Sequence, residues 1–339
     1  MLCPADGLAA SRGTAGPHEE PASRAFGDWL ATCDNALDCT LDGFGADDTQ
    51  ATLIIGRPRG AAPVVTLLLQ PAPLPPPASV RMVGARRGVA VTVRVQPAGA
   101  SGAERGDLGA GAVAALLPVL RAGGRLLLQA ERPGGRQASL GVIRLAGLAA
   151  ALDWIDARQR RVPEALPLVM AVPDGPVPAP DPHHLPAGVT ALASVAACRR
   201  EDADDPANDA SAWALSSTVT LWQVPCGSGN FDRASLFVLA DRATGRVAPA
   251  GFTAPPQVGA GPPGVLINAE TGEDGHAITA IAPGRGLGDC GDLRRYRWDG
   301  QRFRLVTARL MIACRGLAPE DWPLVYRSRL ETPPGAAAP

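Results

Sequence analysis

The chain has 339 residues, enough for two domains with sizeable cores. Its 32 basic and 33 acidic side chains leave a net charge of −1, with a pI of about 6.4. Bulk electrostatics therefore point to neither nucleic acid nor an anionic membrane, and no apolar run reaches the length of a membrane-spanning helix.

The 39 glycines and 34 prolines predict many turns and short strands. All 32 basic residues are arginine, which we read as a composition bias. Residues 1–23 read as a disordered leader without periodicity. They lack the basic n-region and long apolar run of a signal peptide. The stretch from Met1 to Ala10 resembles the tail of one that begins further upstream; the alternative is a cytoplasmic chain with reduced thiols.

The first domain is expected over 24–172. Order begins at Phe26-Gly-Asp28-Trp29. A bridge between Cys33 and Cys39 would close a tight loop beside a first strand, with Asp28 and Asp34 as turn caps. Residues 51–55 and 64–70 are β-rich runs joined by a Gly-Arg-Pro-Arg-Gly connection. Pro71–Pro77 is an extended break. Residues 81–84 and 89–96 read as strands. In the latter, Val89, Val91, Val93 and Val95 alternate with polar or small residues, so one face is buried. A helix is predicted over 107–122, with Val113, Leu116, Leu117 and Leu120 on one side. Pro118 should kink it or begin a new turn, and Gly123-Gly124 ends it. Strands follow at 125–130 and 139–143. Leu145, Leu148, Ala149, Leu152 and Ile155 fall at helical spacing and predict a helix over 145–161. Asp156 and Gln159 sit on its outer, solvated side, the alternative being that they line a cleft.

Residues 173–187 form a Pro-rich linker. Its His183-His184 pair reads as solvent-exposed, because adjacent residues in extended chain point apart. The second domain, 188–333, is predicted to be all-β, with strands at 213–224, 236–241, 265–268 and 276–282, and 334–339 form a tail. The acidic run Glu201–Asp209 is placed to face the arginines that follow. Those arginines lie on a hairpin signalled by Asp299-Gly300 between two alternating runs. A two-residue loop pairs Trp298 with Gln301, Arg297 with Arg302, Tyr296 with Phe303 and Arg295 with Arg304. One face then carries Tyr296, Trp298, Phe303 and Leu305, to be buried. The other carries Arg295, Arg297, Arg302 and Arg304. The whole is a β-rich α+β chain of two domains: a β-sheet domain with two helices, then a mainly antiparallel β domain.

Cys290 and Cys314 flank this hairpin, and a disulfide between them would contribute about 3 kcal/mol by loop closure. The seven cysteines show no C-x-x-C spacing, which argues against a zinc ribbon or a thioredoxin-like site. Several segments carry a resemblance: Phe26-x-Asp28-Trp29 with Cys33 and Cys39, Pro225-Cys226-Gly, and Gly286-Leu-Gly-Asp-Cys290-Gly. Trp298-Asp-Gly, Cys314 and Trp322-Pro complete it. Together they resemble the bacterial family called domain of unknown function 1176. The opening also resembles the invasion-associated locus B family of exported proteins. The resemblance implies an exported protein with six characteristic cysteines and no assigned activity. Fifteen pairings of six cysteines are possible. The simplest keeps each bridge within one domain: Cys33–Cys39, Cys198–Cys226 and Cys290–Cys314. Disulfides place the protein in an oxidising compartment, periplasmic or secreted.

No catalytic constellation stands out. Cys226-Gly-Ser228-Gly lacks the Gly-x-Ser-x-Gly pattern and its following helix. A Cys226–His276 pair is chemically reasonable, but a disulfide explains Cys226 better. Gly284-Arg-Gly-Leu-Gly288 reads as a turn rather than a phosphate loop. Asp289 and Asp292 read as caps rather than calcium ligands. We expect no metal, no cofactor and no nucleic acid. The leading reading is a binding module whose contact surface is Arg285, Arg295, Arg297, Arg302 and Arg304, facing an anionic envelope ligand or protein. The alternative is an envelope-associated hydrolase with Asp289, Asp292 and Cys226 near a cleft between the domains.

Overall fold

The computed structural model describes residues 22–47, 49–70, 78–85, 88–98, 102–131, 137–161, 166–170, 185–201, 210–228, 232–254 and 261–331. Pro71–Pro77, His183-His184 and most of the acidic run lie outside them.

The first ten strands form one antiparallel sheet. They are β1 (Ser23–Phe26), β2 (Trp29–Cys33), β3 (Cys39–Phe44), β4 (Ala51–Arg57), β5 (Val64–Leu69), β6 (Ala78–Gly84), β7 (Ala90–Ala98), β8 (Ala103–Asp107), β9 (Arg125–Glu131) and β10 (Gln137–Arg144). Their spatial order is β1-β2-β3-β4-β5-β8-β7-β6-β9-β10. A bridge between Gly45 and Ile143 brings the last strand back beside β3, so the sheet curls on itself. Its concave side holds Leu41, Leu53, Leu67, Met82 and Leu126, covered by α1 (Ala110–Ala122) and α2 (Leu148–Gln159).

Local chemistry explains the boundaries. α1 begins after Asp107 because that residue stays in β8, accepting the Thr66 hydroxyl at 2.5 Å. The helix runs on through Pro118 rather than restarting there, and Gly123, at φ 68°, ends it. α2 begins after Gly147, at φ 91°, where a Cβ would stand 2.0 Å from the Phe26 carbonyl oxygen. Its outer face is solvated at Asp153, Ala157 and Arg160, but Asp156 and Gln159 are engaged. Gln159 Nε2 donates to the carbonyls of Leu37 (3.0 Å) and Arg57 (2.8 Å), and Asp156 pairs with Arg57 at 2.7 Å. These contacts fasten α2 to the loop closed by Cys33–Cys39. Asp34 caps that loop, accepting the N–H groups of Ala36 and Asp38, both at 2.9 Å. The Asp28 side chain instead lies beside Arg144 (3.7 Å) and Arg315 (3.6 Å).

In the second half, β11 (Leu168–Met170) pairs in parallel with β22 (Arg329–Glu331). Two short helices follow, α3 (Ala187–Thr190) and α4 (Ala193–Glu201), where no helix was expected. Val189, Val195 and Cys198 press them onto a first sheet, and Cys198–Cys226 ties α4 to it. That sheet is β12 (Ser211–Ala214), β13 (Val219–Ser228), β14 (Arg233–Asp241) and β15 (Arg246–Pro249), with β16 (Val265–Ile267) also on β14. The other sheet runs β17 (Ala269–Thr271), β18 (Ala277–Pro283), β19 (Gly291–Trp298), β20 (Phe303–Met311) and β21 (Leu324–Arg327). Leu221 and Phe237 from the first sheet meet Ile278, Tyr296, Trp298 and Phe303 from the second. The second half is thus mainly antiparallel β, with its described α-helices at the start and one 3-10 turn at Pro319–Asp321.

The two halves are packed together. Leu30, Phe44 and Leu68 on the convex side of the large sheet meet Leu293, Met311, Leu317 and Trp322. Beside this apolar patch, Arg327 pairs with Asp34 (2.8 Å) and Asp38 (2.5 Å). Among the described residues no helix is long and apolar enough to cross a membrane.

Candidate functional site

The hairpin forms, in a different register from the one expected. Trp298 pairs with Phe303, Arg297 with Arg304 and Tyr296 with Leu305, so residues 299–302 make the connection. Asp299 is the cause. Its Oδ1 accepts the N–H groups of Gln301 and Arg302, both at 2.9 Å, and its Oδ2 takes Arg304 Nε at 2.6 Å. This capped loop needs positive φ only at Gly300, at 94°, whereas a two-residue type I′ turn needs it twice. The pairing slips by an even number of residues, which leaves the paired strand side chains on their expected faces but moves Arg302 out of the ladder and into the loop. Tyr296, Trp298, Phe303 and Leu305 are all buried.

The five predicted arginines do not form one surface. Arg295, Arg297 and Arg304 share the outer face of the hairpin, and Arg302 stands in its loop. Arg285 lies beyond the other end of β19, roughly the length of an eight-residue strand away, about 25 Å. It is committed there, gripping Asp289 through Nε (2.7 Å) and Nη2 (2.6 Å). Asp289 also accepts the Gly316 N–H at 2.8 Å, which clips the turn onto the Cys290–Cys314 bridge. Arg285 holds the Asp289 carboxyl below the usual carboxylate range. Asp289, Cys290 and Cys314 offer ligand-type atoms within 4.8 Å, but both sulfurs are bonded to each other and the carboxylate is engaged, so no donor is left for an ion.

The other arginines differ in company. Arg304 has Asp299, and Arg297 lies 3.8 Å from Asp274. Arg295 is exposed and has no carboxylate partner among the described residues, and neither has the Arg302 side chain. The compensating carboxylates are therefore Asp299 and Asp274. Residues 202–209 lie outside the described set.

The residues of the hydrolase reading are separated. Cys226 is in the Cys198 bridge on the first sheet, so it carries no thiol. His276 is buried, with Nε2 at 3.1 Å from the Leu215 carbonyl oxygen. Asp292 does not cap a turn: it pairs with Arg294 at 2.5 Å, and burial pushes its carboxyl up against the pull of that arginine. Ser228 ends β13, and 229–231 are not described. Gly288, at φ 64°, donates its N–H to the Arg285 carbonyl, so 284–288 is a tight turn. The face between the halves, where a cleft was expected, is filled by Trp322 and its apolar neighbours.

The model of the family described as Protein of unknown function (DUF1176) matches residues 23–169 and again 162–329. The chain belongs to that family. The two matches run through this DUF1176 chain from the start of β1 to β22. It is similar to the uncharacterized protein YpfG of Escherichia coli (strain K12), at 26% identity over 338 residues, covering 91% of this chain and 94% of that protein. It is also similar to the crystal structure of invasion associated protein b from Bartonella henselae. That likeness has 20% identity and a TM-score of 0.33, and covers 41% of this chain and 99% of the other.

Sequence reasoning missed two residues that the structure singles out. Arg246 lines a cavity together with Arg302, although nothing in its turn-like surroundings marks it. Asp42 is fully buried with neither carboxylate oxygen hydrogen-bonded.

Proposed function

We propose that this DUF1176 protein is an exported, non-enzymatic binding module of two domains, 24–172 and 188–333, which meets an anionic envelope ligand or protein. The contact surface is the outer face of the hairpin, Arg295, Arg297 and Arg304; Arg285 drops out because its guanidinium is committed. The observation that carries the reading is Arg295, exposed and uncompensated beside two further arginines. Arg297 lies opposite Arg304, a like-charge pair that Asp274 and Asp299 offset, which leaves Arg295 as the uncompensated charge of this face.

The protein is expected to be retained on immobilised polyglutamate at low ionic strength and released by salt. The double substitution Arg295→Ala, Arg304→Ala should abolish retention, whereas Arg121→Ala on α1 should not. Flow-through of the wild type, or equal retention of the double variant, overturns the proposal.

Export is supported by the three bridges, which suit an oxidising compartment. Protein recovered from the periplasm and denatured without reductant should show the thiol of Cys3 or none. Several titrating thiols would return the chain to the cytoplasm.

A further inference from the structure

A cavity of about 480 Å³ lies on the other side of the hairpin, where its tip meets the end of the first sheet of the second half. One wall is the row Val219, Asp241, Arg246 with the next row Leu239 and Ala248. The other is Trp298, Gln301 and Arg302. The volume falls within the range of small-molecule sites.

The walls are fixed before any ligand arrives. Phe303 N–H donates to the Gly251 carbonyl at 3.0 Å, Thr253 N–H to the Phe303 carbonyl at 3.2 Å, and Leu305 N–H to Thr253 Oγ1 at 2.8 Å. Beneath them Phe252 packs on Phe237, Tyr296 and Phe303, with ring centroids 5.0–5.6 Å apart. The backbone of such a site loses little freedom on binding, and the ordering cost falls on the two arginine side chains.

The polar groups are unequal. Asp241 is occupied by its own turn, accepting Ala243 N–H at 2.9 Å and the Thr244 hydroxyl at 2.8 Å. Arg246 and Arg302 both line the cavity, one from each wall, and neither guanidinium has a partner among the described residues. Two cations and one anion leave the lining one positive charge. A carboxylate matches that charge and the fork of a guanidinium, while a phosphate monoester brings close to two negative charges at neutral pH. The floor of Val219, Leu239 and the indole of Trp298 asks for an apolar or aromatic body. Another cavity, of about 430 Å³, is a weaker candidate, because its Arg105 is already shared among Thr66, Asp107 and Asp321.

We propose that this cavity binds a small monocarboxylate with an apolar or aromatic body, its carboxylate held between Arg246 and Arg302 and its body on Leu239 and Trp298. The site is separate from the outer arginine face and stands or falls independently of it.

The test titrates the full chain with benzoate and phenylpropionate, followed by ligand-observed NMR and tryptophan fluorescence, with benzamide and phenyl phosphate as comparisons. Saturable carboxylate binding in the millimolar range is expected. Arg246→Ala and Arg302→Ala should each weaken it about tenfold, the scale of one lost charge-assisted hydrogen bond. Both side chains are exposed, so an unchanged unfolding midpoint will show that the variants fold. Arg295→Ala with Arg304→Ala should leave carboxylate binding unchanged, which separates this site from the outer face. No saturable binding, equal binding of benzamide, tighter binding of phenyl phosphate, or indifference to Arg246 and Arg302 each overturns the proposal.

Discussion

Replacing Asp42 by asparagine is expected to flatten the pH dependence of stability between the ordinary aspartate range and about pH 8. Asp42 lies on β3 between Leu30 and Ile54, on the side of the large sheet that the second half covers. Burial, with Asp321 as a second cause, pushes its carboxyl up to about 8. The native state therefore holds a proton that the unfolded chain releases near pH 4. Stability is fullest below the unfolded value. It falls as pH rises through the window by about 1.4 kcal/mol per unit, and levels off above the folded value. Across the window this is at most about 6 kcal/mol. The asparagine variant keeps all other titrating groups, so subtracting its urea-derived stability from that of the wild type at each pH isolates one proton. Its amide brings unsatisfied donors of its own, worth about 1–3 kcal/mol of destabilisation, but that offset does not vary with pH. Parallel curves for the two proteins would show that Asp42 does not carry the proton.

Asp42 also shows why the sequence could not reveal everything. Its strand puts Thr40, Asp42 and Phe44 on one face, a mixed set that does not declare whether that face is wet or buried. That face is covered by Trp322, Leu293 and Met311, some 250 to 280 positions further along, and no local period encodes such a contact. Local signals were read well where local chemistry decides. The Asp299-Gly300 turn, the buried aromatic face of the hairpin and the Gly123 stop were all legible. The register was not, because the Asp299 carboxylate captures two backbone N–H groups and enlarges the loop. The helices at 187–201 were missed despite Val189, Leu192, Val195 and Cys198 recurring every third residue, a spacing close enough to the helical period to have found them. Of the candidate arginine surface, alternation placed Arg295, Arg297 and Arg304 on one face. It could not foresee that Arg285 would be claimed by Asp289, or that Arg302 would line a cavity with Arg246.

Truncating Trp322 to alanine should cost about 3–5 kcal/mol and loosen both halves at once. The indole is fully buried, and its Nε1 donates to the Leu317 carbonyl at 2.9 Å. Its apolar neighbours come from both sides, Leu30, Phe44 and Leu68 from the large sheet and Leu293 and Met311 from the second half. The Trp322 carbonyl accepts from Arg309, a guanidinium whose own pKa is lowered, first by burial and then by Arg295. Removing the indole opens a cavity in the contact that joins the halves rather than in either separate core, where Trp29 and Phe237 remain packed. Hydrogen exchange is the decisive readout. Protection should fall at the amides of Leu30, Phe44 and Leu68 together with those of Leu293 and Met311, and should hold at Leu53, Leu67 and Phe237. Loss confined to the C-terminal strands would mean that Trp322 braces only its own sheet and that the halves are joined chiefly through Arg327, Asp34 and Asp38.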